Sequence, residues 1–163
     1  MRNDQEWTPP SSHDPNPSPP TADPTIRVTT SGKTTTVTPE TLRQLPQRAV
    51  DNCLIVSTEH GASGPFTFAG ATLLVVLERF AAGEWTVADI ISADGFRTRV
   101  WRDELEARTE RPILLALSID GQPMDREHGL VRLIVPGEER DALRQVKWVS
   151  EIRVLDQPAA SKP

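Results

Sequence analysis

Apolar positions recur in short bursts along this chain, and their spacing changes from one burst to the next. Two β-branched runs, TIRVTT and KTTTVT, flank Ser31–Gly32. Such runs around a tight turn predict a hairpin. Thr38–Pro39–Glu40 then has the makeup of a helix start, with a hydroxyl N-cap, proline at the first position and an acid in the first turn. Leu42 and Leu45 form its buried side, and Pro46 ends it. The run at 53–56 predicts a strand. Leu73, Val76, Leu77 and Phe80 fall at i, i+3, i+4 and i+7, which predicts an amphipathic helix over 71–82, stopped by Gly83. Strands are predicted at 87–92 and 97–100 around Ala93–Asp94–Gly95, and a short charged helix at 101–108. Further strands are predicted at 112–119, ending at Asp120–Gly121, at 131–135, ending at Pro136–Gly137, and at 146–155. About seven short strands with three or four short helices, no βαβ rhythm and no internal repeat predict an α+β fold with a mostly antiparallel or mixed sheet.

Outside these bursts the pattern fades. Residues 1–24 hold seven of the fifteen prolines and almost no apolar side chains. Such a segment cannot bury enough surface to offset its ordering entropy, so it reads as a disordered or polyproline-like tail. Residues 157–163 read as a second polar tail, leaving 25–156 as the folded domain.

Composition narrows the classes. Net charge is −5, and lysines and arginines alternate with acids. No basic face predicts nucleic-acid binding. The longest apolar run, at 69–77, is far short of the ~20 residues that span a bilayer. No membrane association is expected. The first ten residues show neither a twin arginine nor an apolar export core, so the expected compartment is the cytoplasm.

The candidate chemistry begins at Cys53, the only cysteine, in an apolar strand. A lone thiol there reads first as a small core hydrophobe. Ser57, Thr58, Glu59 and His60 invite a nucleophile–base reading, but no G-x-S-x-G elbow is present, and adjacent residues on an extended chain face opposite ways. Gly61 to Pro65 reads as a plain turn, with an anion-binding nest as the alternative. His128, Arg132 and Lys147 lie near predicted strand ends, where cations can clasp a phosphate. Read singly, each cation is a surface charge, free to pair with acids such as Glu138 and Glu151.

The order of these motifs resembles the molybdopterin-binding oxidoreductase domain of the sulfite oxidase family, in the short single-domain form found in bacteria. The pieces are the hairpin with TPETLRQLP, FAGATLLVVL, SADGF, ILLALSIDGQPM, HGLVRLIVPG and VKWVSEI, spread over about 26–154. The resemblance implies a sulfite-oxidase-like molybdopterin-binding fold, mostly β with short helices, and a pocket for a molybdenum-bearing pterin. It places His128, Arg132 and Lys147 near the pterin or its phosphate.

One departure stands out. The family's metal-binding cysteine falls about twelve or thirteen residues before the helix-starting glycine. Counting back from Gly70 lands on Thr58 or Ser57, which are therefore carried as cofactor-side residues. Cys53 is four residues further back, ~13 Å along an extended strand. Only a longer loop would make Cys53 a ligand. Two readings stay open. One is a molybdopterin-dependent oxidoreductase acting on a small substrate. The other is a cofactor-free relative that keeps the fold as a binding or scaffold module.

Overall fold

The computed structural model describes residues 19–57 and 61–156. The expected tails at 1–18 and 157–163 therefore lie outside the described residues. The chain forms two five-stranded sheets with short helices between them.

The first sheet is built from β1 (Ile26–Thr30), β2 (Lys33–Val37), β5 (Val87–Ser92), β6 (Arg97–Trp101) and β10 (Val149–Leu155), in the order β2-β1-β10-β5-β6. The expected β1–β2 hairpin is present, with Ile26 opposite Val37. β10 runs parallel to β1, Val28 beside Ile152, and every other pair is antiparallel. β5 has all six residues buried, as a strand covered on both faces requires. Its one charged side chain, Asp89, accepts two hydrogen bonds from Arg99 on β6, at 2.7 and 2.9 Å.

The second sheet runs β3 (Gln47–Ser57), β4 (Gly61–Thr72), β7 (Leu114–Ile119), β8 (Gln122–Pro123), with β9 (Arg132–Ile134) also on β7. Between the strands lie α1 (Pro39–Arg43), α2 (Leu73–Phe80), α3 (Arg102–Ala107) and α4 (Glu139–Ala142). The main core gathers Ile26, Val28, Leu73, Leu77, Ile90, Leu115, Leu133 and Ile152. A second cluster holds Val50, Cys53, Phe68, Leu114, Ala116, Ile119, Met124 and Ile134. The architecture is α+β, mostly strand, with mixed sheets. Among the described residues no helix is long and apolar enough to cross a membrane.

Three expectations are corrected here. The turn expected at 61–65 is strand: Gly61 pairs with Ser57 and Ser63 with Ile55. Small residues survive in the ladder because β3 supplies a partner for their backbone. The helix expected from 71 begins at Leu73, because Ala71 and Thr72 are paired to Leu115 and Leu114 of β7. Thr72 instead caps it, its hydroxyl accepting from the Val75 N–H at 3.2 Å. The last strand begins at Val149 and not at 146. Trp148 has φ 52° and breaks the extended run.

One ion cluster anchors the segment that leads to Lys147. Arg144, three residues before that lysine, donates to Glu104 at 2.6 and 3.0 Å and to the Arg99 carbonyl at 3.0 Å. Arg108 lies 3.6 Å from Glu104 and 3.1 Å from Asp141. Burial pushes the Glu104 carboxyl up, but the hydrogen bonds and charge of Arg144, the Trp101 N–H and Arg108 together hold it below its ordinary value. Its folded value is depressed, so its stabilisation is present above the unfolded value and is lost as pH falls through the folded one. Urea melts of Glu104→Gln should therefore show lower stability at pH 7 and a shallower loss on acidification below pH ~4. Parallel acid limbs in variant and wild type would contradict this.

Candidate functional site

The residues between β8 and β9 are folded back on themselves. Asp125 Oδ1 accepts from the His128 N–H at 2.9 Å, and the Asp125 carbonyl accepts from Gly129 and Leu130 at 3.1 and 3.0 Å. Gly129 and Leu130 both take left-handed φ, 110° and 59°. This turn is fastened to the segment before β10. The Trp148 backbone N–H donates to the Gly129 carbonyl at 2.9 Å, its indole N–H to the Arg126 carbonyl at 2.6 Å, and Val149 to Val131 at 3.0 Å. Arg126 also reaches the Pro19 carbonyl at 3.5 Å, so the described N-terminal segment starts against this turn.

That fastening brings Arg132 and Lys147 together. A Cβ on Gly129 would lie 2.9 Å from Arg132 Cγ and 3.2 Å from Lys147 Cβ, so only glycine lets the turn sit over both. Arg132, 5% exposed, donates from Nη1 to the His128 carbonyl at 3.1 Å, and its guanidinium lies 5.8 Å from the Phe68 ring centre. Its Nε is buried with no hydrogen-bond partner. Burial lowers Arg132 to about 10, leaving it charged at neutral pH. Lys147 is also lowered, first by burial and then by the charge of Arg132, with Asp94 pulling it partly back; its Nζ lies 4.9 Å from the Trp148 ring centre. Among the described residues the acid that acts on Lys147 is Asp94, and none acts on Arg132. Glu151 is taken by Arg153 at 2.9 Å and Arg27 at 3.6 Å, and Glu138 starts α4.

His128 joins them through its carbonyl. Its imidazole is half-exposed and holds Asp125 at 2.8 Å. Of Ser57, the backbone pairing with Gly61 closes the β3–β4 ladder; Thr58, with 59 and 60, lies outside the described residues.

Cys53 is fully buried in mid-strand, its Sγ donating to the Val50 carbonyl at 3.5 Å. Burial pushes the thiol up, more than the charge of Arg111 pulls it down. The expected core role holds, and Cys53→Ala should cost about 1 kcal/mol or somewhat more through a small cavity. An uncharged thiol reagent should label native protein slowly; rapid labelling would contradict burial.

A molybdenum-bearing pterin therefore finds two different answers in these residues. The orphaned Nε, the paired cations and the glycine cradle fit the anionic end of such a ligand. Among the described residues the metal end is not matched. Among the described residues no group of three or more histidine, cysteine or acidic side chains could hold an ion, and the one thiol is neutral and enclosed.

The sequence alone pointed to Arg132 and Lys147 but not to their partners. Gly129, Phe68, Asp125 and Trp148 were missed as contributors. The one local signal was His128–Gly129, where glycine marks a left-handed turn.

Residues 16–162 match the family described as the oxidoreductase molybdopterin binding domain. No curated protein matches the chain. Among solved structures, the sulfane dehydrogenase SoxCD from Paracoccus pantotrophus is similar, with a TM-score of 0.64 and 18% identity over 85% of this chain. At that identity the likeness speaks for the fold. The chain spans 39% of that structure's chain, about two fifths of its length. With the family match over nearly its whole length, the chain belongs to the oxidoreductase molybdopterin binding domain family.

Proposed function

We propose that this chain binds an anionic, phosphate-bearing pterin, molybdopterin in its family's terms, where Gly129, Arg132 and Lys147 meet. The carrying observation is Arg132, a buried guanidinium with an orphaned Nε and, among the described residues, no acid beside it. Leaving a buried charge uncompensated costs several kcal/mol, and a chain with no use for it does better with an apolar side chain. A phosphate would supply both the missing acceptor and the missing charge. Bound there, the cofactor would supply electron-transfer chemistry toward a small substrate, while Arg132 and Lys147 supply charge and position.

The test is pterin content, read by fluorescence after oxidation, in protein made in a cofactor-competent host. Wild type should carry pterin. Lys147→Ala removes one charge-assisted contact of ~1.5–3 kcal/mol, so its affinity should fall roughly 10- to 150-fold with circular dichroism unchanged. Wild type free of pterin would sink the proposal and leave the cofactor-free binding or scaffold module in its place.

A further inference from the structure

The two ends of the proposed site differ, and the difference has a measurable consequence. We infer that pterin occupancy in this chain is independent of the metal: the ligand is held by its phosphate, and loading or omitting molybdenum does not change how much pterin the protein retains. This rests on the pterin-binding proposal above.

Cys53 cannot be moved into ligand position by a small adjustment. β3 spans Gln47 to Ser57 with irregularities in its pairing on either side of Cys53, and Cys53 itself is paired with Phe66 across the ladder. Both preceding carbonyls, of Asp51 and Asn52, accept from Arg111 at 3.0 and 3.2 Å. The Cys53 carbonyl is itself packed so closely that a Cβ on Gly64 would meet it at 2.8 Å. Carrying the thiol four residues along the strand, ~13 Å, would break all of these contacts and the β3–β4 register with them. A metal ligand must also be deprotonated, and burial holds this thiol in its neutral form. At the family's ligand position the chain has Ser57 and Thr58, hard neutral hydroxyls in place of a soft thiolate. The cations at the other end need no metal to act on a phosphate.

A group with which a protein makes no differential contact cannot shift a binding equilibrium. If this chain makes none with the metal, the pterin-bound fraction is the same with the metal present or absent. A thiolate-ligated site behaves otherwise, because its metal is one of the points that hold the ligand.

The experiment grows the full chain in a cofactor-competent host with molybdate-replete and molybdate-depleted medium, then measures pterin and molybdenum per protein separately. Expected is pterin equal within about twofold in both media while molybdenum falls, with Cys53→Ala matching wild type in each. Pterin lost about tenfold or more on depletion in wild type overturns the inference and leaves the pterin site standing. So does a folded Cys53→Ala that keeps its pterin but loses its molybdenum. Absence of pterin in both media overturns the binding proposal itself, and this inference with it.

Discussion

Gly70→Ala is expected to destabilise the protein by about 3 kcal/mol or more, enough to leave a marginally stable domain partly unfolded at 37 °C. Gly70 sits in β4 between Arg48 of β3 and Ala116 of β7. An added Cβ would collide with the Leu115 carbonyl oxygen and lie 2.8 Å from Ala116 Cα. Both obstacles are backbone, so no rotamer change relieves them. β4 and β7 would have to separate at the irregularity between Ala69 and Gly70, next to Leu114 and Leu115 in the core. For a chain of this size the thermal midpoint should fall by roughly 10 °C. Gly32→Ala is the control. Gly32 has a left-handed φ of 72° and nothing within 4 Å of an added Cβ. Its cost should stay near ~1–2 kcal/mol, from backbone strain alone. Equal costs at the two positions would show that β4 and β7 are not packed as described.

Arg132→Met should abolish pterin binding while leaving the ligand-free protein about as stable at pH 7, or more stable. The variant removes a guanidinium whose charged form is disfavoured in the folded state by on the order of 3 kcal/mol and keeps an apolar stem beside Phe68. The pH dependence has a definite sign. Arg132 is lowered on folding, to about 10, so above that pH the folded chain binds fewer protons than the unfolded chain. Stability from this group therefore rises with pH from about 10 toward the ordinary arginine value, and below about 10 the penalty is constant. Urea melts of wild type and variant across pH 8–11 follow it: their stability difference should shift toward wild type as pH rises to and past 10, with the release of Lys147 from the Arg132 charge in the variant adding in the same sense. A variant several kcal/mol weaker at pH 7 without ligand would make Arg132 structural, serving the His128 carbonyl.

Much of this molecule was legible before any coordinates. The β1–β2 hairpin, the Thr38 cap and the strands expected at 87–92 and 97–100 depend on neighbours within a few residues, so local rules reached them. Arg132 and Lys147 could be named because cations near strand ends are local features too. The segment 61–72 was misread for the opposite reason. GASGPFTFAGAT carries the marks of a loop followed by a helix start, and becomes a strand only because β3 and β7 lie on either side of it. α4, four residues long, is too short to show a helical period.

The sequence by itself determined the α+β class, the family and the place of the one cysteine, at 53. Each rests on residue identity and spacing along the chain, which folding does not change. Only the tertiary structure decided which charges meet. Glu138 and Glu151 were as available to Lys147 and Arg132 as any acids in the sequence, but β1 and β10 pair in parallel and draw Glu151 to Arg27. The turn over Gly129 then closes on Arg132 and Lys147 from segments fifteen residues apart in the chain, bringing two cations together where, among the described acids, Asp94 acts on Lys147 and none acts on Arg132. Electrostatic energy depends on separation in space and on exposure to water, and neither is written in the order of the residues.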